Sequence, residues 1–439
     1  MAVGKISYNG GSGVKGAGET PYTIHADSEP IKSGNFVEKV IRFEEGSSTA
    51  NDIVLDTLPT TTSAITKVEN NRLLTATVTN TALVLRLYDT TQSTVPTLLD
   101  HWTLQTPSVR SVDLLYMSDN RIVFAFAVGS EVNAGMIAID EDEITLGEIS
   151  TALTHYVYKV LLCKVNANRF AIFTNAGSSA APYVSYAINS DLTISNPTAI
   201  KTYNSLTPSG WISCDNAEDN KIIIALTDSG FNNNLAVTIC LYNAASNTLS
   251  MGDLVNIPNT SRLAQTVKTI SATQALLVYQ VSENMLNARL LTMDPSATST
   301  TITVGGIISL KSTSAEFKSM SLIEYEPNKY MLIYDGFTNV VNITPDNVSL
   351  GTDTTISVTG ENVDSAVAVE NRVSIIYQDK NKYPNLTQIS VNNGSITHVV
   401  PIYIPHTEII KAASKIDGVA KKGGVAGDEI MVYTLGGAE

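Results

Sequence analysis

The chain has 439 residues, 43% of them hydrophobic, with 42 acidic against 28 basic side chains and a formal charge of −14. That hydrophobic share supplies a sizeable core and argues against wholesale disorder. The acidic balance, with no basic run anywhere, argues against a nucleic-acid binder, because neutralising phosphate takes clustered Lys and Arg.

Residues 1–35 are Gly-rich and hold few apolar residues in succession. Fixing backbone costs roughly 1–2 kcal/mol per residue, so this arm is expected to be disordered or pinned against another chain. Its opening, MAVGKISYNGGSG, has no apolar h-region and predicts no secretory signal. PIKSGNFVEKVIRF (30–43) reads as a turn and a strand, and a Ser/Thr-rich connector follows. Residues 1–50 are therefore set apart as an arm and strand.

From residue 51 to 405 one pattern recurs seven times: a short polar turn and then an apolar strand. The turns are Asn71-Arg72, Asn120-Arg121, Asn168-Arg169, Asn220-Lys221, Thr273-Gln274, Asn328-Lys329 and Asn371-Arg372, spaced by 49, 48, 52, 53, 55 and 43 residues. A strand-built period near 50 predicts an all-β, seven-bladed β-propeller of four-stranded antiparallel blades. Asn suits the hairpin between the first two strands, because it tolerates positive φ. The strand after it is almost continuously apolar, as in Ile222–Leu226, which fits burial on both faces. Such runs span about a quarter of a bilayer, so no membrane segment is expected. The third strand alternates, with Leu83, Leu85 and Leu87 on one face and Val84, Arg86 and Tyr88 on the other. Outer strands, such as 191–200 and 300–310, are more polar. A turn repeated in every blade is read as a requirement of the fold.

Chemistry is sparse. Cys163, Cys214 and Cys240 lie far apart and are read as free thiols in strands. The five histidines share no ligand spacing, and there is no nucleophile elbow or phosphate-binding loop. No catalytic residue, metal or cofactor is assigned. Asp140-Glu141-Asp142-Glu143 reads as a solvated hairpin tip. Tyr outnumbers Phe and Trp; Tyr183, Tyr203, Trp211, Tyr334 and Tyr383 fall near turn-like sequence, and most of them are read as ordinary sheet aromatics. The exposed, polar segments around Trp211 and Tyr383 are the candidate receptor-contact loops.

The C-terminal part, 406–439, does not continue the repeat. It ends in IDGVAKKGGVAGDEIMVY (416–433), and together with the N-terminal strand it is expected to form a small β-module. SGNFVEKV (33–40) resembles a "small-Gly-Asp-Phe-Val-Glu" segment of structural proteins from phages and prophages of Gram-positive bacteria, with Asn35 in place of the Asp. Residues 416–433 resemble a C-terminal element of the same class, matching at Gly418, Val419, Ala420, Gly423, Gly424, Ala426, Gly427, Asp428, Ile430, Val432 and Tyr433. The resemblance implies a virion protein such as a fibre, decoration or tail adhesin. It makes Phe36, Val37, Gly418, Val419, Ala420, Gly427 and Asp428 the candidate anchoring element. Expected partners are other virion proteins (capsid, neck or tail), copies of the chain itself and a host-surface glycan, with no nucleic acid and no membrane. The alternatives are a secreted or surface lectin and a propeller glycosidase.

Overall fold

A computed structural model describes the strands Glu19–Ile24, Phe36–Ile41 and Ile53–Val54, most of residues 60–398 apart from short segments such as 205–210, 229–233 and 380–383, and the strands Glu408–Ala412, Gly418–Ala420 and Glu429–Thr434. The chain divides into two compact units, residues 51–401 and the two ends together, 1–50 with 402–439.

The larger unit is the expected seven-bladed propeller. Each blade is an antiparallel sheet whose strands run in chain order from the innermost outward. The innermost strands are Thr60–Val68, Val109–Ser118, Lys159–Asn166, Ile212–Glu218, Gln265–Ser271, Met320–Glu326 and Gly360–Val369, and each packs on the next, with the last against the first. The second strands show why their sequences are continuously apolar. Ile222, Ile224 and Leu226 enter the hydrophobic layer shared with blade 3, while Ile223 and Ala225 enter the layer shared with blade 5. A blade in a ring has a neighbour on both sides, so the core is a series of layers between blades. The same geometry buries both faces of the alternating third strand in blade 1. Its second face is not solvated: Val84, Arg86 and Tyr88 are all buried, and Arg86 donates to Thr77 Oγ1 at 2.9 Å.

The outer strands differ from the unbroken ones read in the sequence. In blades 2 to 6 the outer strand is split in two, as in Ile302–Val304 and Ile308–Ser312, both paired to Met285–Met293. At the break in four of these blades a glycine N–H (Gly147, Gly252, Gly305, Gly351) bonds back to a third-strand carbonyl. The next blade packs directly over this point: a Cβ on Gly147 would strike the Leu192 carbonyl, and one on Gly252 would strike the Thr300 side chain. In blade 7 the halves come from opposite ends of the propeller. Ser395–His398 supplies one, and Ile53–Val54 supplies the other by pairing with Leu386 and Asn385. The ring is therefore closed by main-chain pairing between its first and last segments.

The recurrent turns act as the sequence implied. Asn71, Asn120, Asn220 and Asn328 take φ of +59°, +55°, +69° and +60°, the left-handed region that Asn tolerates. In five blades the turn residue's carbonyl accepts an N–H from the end of the third strand, as with Ile139 to Asn120 at 3.0 Å and Tyr242 to Asn220 at 2.9 Å. The basic residue that follows reaches nearby loop carbonyls: Lys221 Nζ donates to Asp294 O and Ser296 O in the next blade, and Arg372 donates to Thr90 O across the ring closure. The acidic run 140–143 is an exposed hairpin tip, with Asp142 3.8 Å from Arg72.

In the smaller unit five strands from both chain ends close into a barrel. Glu19–Ile24 lies in the arm that was expected to order only against another chain. It pairs instead within the chain, antiparallel to Glu429–Thr434 and parallel to Glu408–Ala412. Phe36 pairs with Val419 and Val37 with Gly418, so the two segments that carry the phage resemblance are hydrogen-bonded neighbours.

Candidate functional site: the central channel

The innermost strands surround a channel of about 480 Å³. Each is an edge strand, and one row of its main-chain groups lacks a ladder partner within its own sheet. Two Ser-x-Asp triplets meet part of that need from the neighbouring blade. Ser111 Oγ accepts from Val160 N at 3.0 Å and Asp113 Oδ2 from Leu162 N at 2.7 Å. Two blades on, Ser213 Oγ accepts from Val267 N at 3.0 Å and Asp215 Oδ2 from Thr269 N at 2.8 Å. The partners are 49 or 54 residues apart, one repeat, so these side chains cap a neighbour's edge.

The channel carboxylates are further committed. Asp215 Oδ1 accepts from Lys268 Nζ at 3.0 Å. Burial opposes the charge on Lys268, yet Asp215 beside it wins and holds its pKa above the usual lysine value. Asp113 also accepts from Leu114 N. Burial nonetheless pushes its pKa up to about 6, against those two N–H groups and the attraction of Lys159.

The mouth, where the innermost strands begin, has a different character. Trp211 is half-buried and lines the channel, with Lys159 Nζ 5.6 Å from its ring centre. Its rear packs against the core between blades 5 and 6. Tyr158 also lines the channel and stands edge-on to Tyr156, with ring centres 5.2 Å apart; the two are 37% and 46% exposed, among the most exposed large apolar side chains described. Arg110 stacks on Tyr156 at 3.9 Å and is oriented by the carbonyls of Val157 and Gly129. The mouth thus offers aromatic faces beside two cations. Such a surface suits a ligand with both a ring and polar groups.

Of the residues singled out in the sequence, Trp211 lies at this mouth. Tyr183, Tyr203 and Tyr334 do not: all three are buried. Tyr203 bonds to Thr174 O, and Tyr334 packs against Phe317 with Lys311 over its ring. Tyr383, Gly427 and Asp428 lie outside the described residues. Phe36, Val37, Gly418, Val419 and Ala420 are strand residues of the small barrel. The cysteines are free, and the fold gathers them between blades 3 and 4; burial, with Cys163 bonded beside it, raises the Cys214 thiol well above its usual value. Sequence reasoning missed Arg110, Lys159, Tyr156 and Tyr158. A Tyr-x-Tyr-Lys run just before a predicted innermost strand was the available signal.

No family model matches the sequence, and neither does any curated relative. Among solved structures the fold is similar to the BP39L lectin of Burkholderia pseudomallei, with a TM-score of 0.54 and 12% identity over 79% of this chain and 99% of that one. It is also similar to a protein of unknown function from Desulfotomaculum acetoxidans (TM-score 0.51, 12% identity, 74% of this chain and 95% of that one). A third similar structure is a candidate 6-phosphogluconolactonase from Bacteroides uniformis (TM-score 0.53, 11% identity, 74% and 95%). At these identities the likeness is one of fold.

Proposed function

We propose that the protein is a non-enzymatic carbohydrate-binding propeller that takes its glycan at the channel mouth. The observation that carries this reading is the pairing of the exposed rings of Tyr156 and Tyr158 and the half-buried ring of Trp211 with oriented polar groups, since sugars present both a C–H face and hydroxyls. The propeller shared with a lectin supports it. A glycosidase needs two carboxylates available to the scissile bond, whereas Asp113 and Asp215 each hold a neighbour's main chain. The test is a glycan array probed with the full chain. At least one glycan class should bind, and Trp211→Ala should abolish that binding while the protein stays folded. An array with no hits sinks the proposal.

A second reading concerns where the propeller is displayed. The pairing of Phe36–Val37 with Gly418–Val419 brings the two phage-like segments into one module. This favours a virion protein anchored through its terminal barrel to capsid, neck or tail, with the propeller serving host attachment. Genes for portal, capsid or sheath should flank its own. Neighbours devoted to polysaccharide uptake would overturn this second reading and leave the first intact.

A further inference from the structure

Resting on the glycan-binding reading, we infer that Arg110 is a positioning residue: it clamps the segment 155–158, so that Tyr156 and Tyr158 stand as a preformed stacking platform before any sugar arrives. The segment needs such a clamp. It joins the strands Ser150–Thr154 and Lys159–Asn166 and lies outside the ladder of either blade. Its burial alternates, with the Val157 side chain fully buried between the two exposed tyrosine rings. Rings on a free connector would turn in solvent, and stopping them at the moment of binding costs affinity.

Arg110 meets that need from the preceding blade. Its Nε donates to Val157 O at 3.2 Å, its Nη2 donates to Gly129 O, and its guanidinium lies 3.9 Å from the Tyr156 ring centre. One planar fork thus ties the main chain between the tyrosines to the hairpin that joins Arg121–Val128 to Glu131–Asp140, while its flat face fixes the first ring. Tyr158 stands edge-on to that ring, with centres 5.2 Å apart, and its own N–H is held by Asn175 O at 2.7 Å. The contacts of Arg110 are therefore with the protein. A lysine carries the same charge without the planar fork, so Arg110→Lys separates clamping from charge.

The experiment compares full-length wild type, Arg110→Lys and Arg110→Gln by amide hydrogen exchange and by a concentration series on a glycan array. Exchange at Tyr158 should speed up at least about tenfold in both variants, with Val160 in the adjoining strand unchanged. Apparent affinity for every glycan that wild type binds should fall about tenfold, and Arg110→Lys should lose as much as Arg110→Gln. In a Tyr156→Ala background the same Arg110→Gln change should cost less, since one of the rings it holds is already gone. If Arg110→Lys kept wild-type affinity while Arg110→Gln lost it, the residue would act by charge and the inference would be overturned. Unchanged affinity in both variants would overturn it too, as would equal quickening at Tyr158 and Val160, which marks a general loss of structure. If wild type bound no glycan, the glycan reading would fall, and exchange at Tyr158 would still decide the clamp: faster exchange upholds it and unchanged exchange overturns it.

Discussion

The two ends of the propeller use the same residue types for different work. At the hairpin end Lys221 is fully buried and donates to Asp294 O and Ser296 O, with Glu218 3.4 Å away. At the opposite end Lys159 is exposed and lies beside the Trp211 ring. One lysine is consumed in joining blades, while the other is presented at an opening. The hairpin position is basic in six of the seven blades, whereas the Trp-Lys juxtaposition occurs between blades 3 and 4 only among the described residues. In a repeat protein, what recurs reports on the ring, and what departs from the repeat is where ligand chemistry has room to appear.

Exchanging the roles of those lysines gives the largest expected effect. Lys221→Met leaves two carbonyls and a partly buried carboxylate without their cation and should destabilise the fold by about 3 kcal/mol, read as a lower urea midpoint. Any glycan binding should persist in the fraction that remains folded. Lys159→Met should shift the midpoint by less than about 0.5 kcal/mol yet weaken glycan binding at the mouth. If the two variants gave matching stability losses, the division between the ends would fail.

The pH dependence sharpens the contrast. Asp113 has a folded-state pKa of about 6, above the ordinary carboxylate value, because burial outweighs the N–H groups of Leu162 and Leu114 and the charge of Lys159. The groups around it are Arg110 on its own strand, Lys159, Cys214, Asp215 and Lys268. A raised folded pKa means that the native state binds the proton more tightly than the unfolded chain. The resulting stabilisation is full below about pH 4, declines as pH rises, and is gone above about pH 6. Asp113 is only half-buried where it lines the channel, so the swing should be about 2 kcal/mol. It should appear as the difference between wild type and Asp113→Asn across pH 4 to 7. A pH-independent difference would mean that Asp113 is an ordinary solvated acid.

Much of the ring was readable because its signals are local. An Asn-basic turn and an apolar strand are set by positive φ and by burial on both faces, and both lie within about ten residues of sequence. The outer-strand break was less readable, since Gly147 and Gly252 are explained only by the blade that packs over them. The mouth was least readable. Trp211 drew attention as an aromatic beside a turn, but its meeting with Lys159 spans one full repeat. Tyr183, Tyr203 and Tyr334 are the ordinary sheet aromatics that their sequence suggested, because packing between blades buries what the local turns leave open. Contacts at one-repeat separation can be sought by aligning the seven repeats and comparing equivalent positions. That procedure would have placed Ser111-Val112-Asp113 beside Leu162 and Ser213-Cys214-Asp215 beside Thr269.

Those triplets supply the smallest effect and the most direct check on edge capping. Ser111→Ala removes the acceptor for Val160 N, and Ser213→Ala removes the one for Val267 N. Each loss should cost about 1 kcal/mol, the usual value of one hydrogen bond with a neutral partner. The two sites lie in blades 2 and 4 and share no partner, so the double variant should lose the sum of the two. Amide hydrogen exchange should speed up at Val160 in the first variant and at Val267 in the second, with little change elsewhere in either blade. Faster exchange along the whole innermost strand would show that the serine organises the strand. Unchanged exchange at both amides would show that channel water replaces the hydroxyl without loss, and the serines would then have no part in capping the edge.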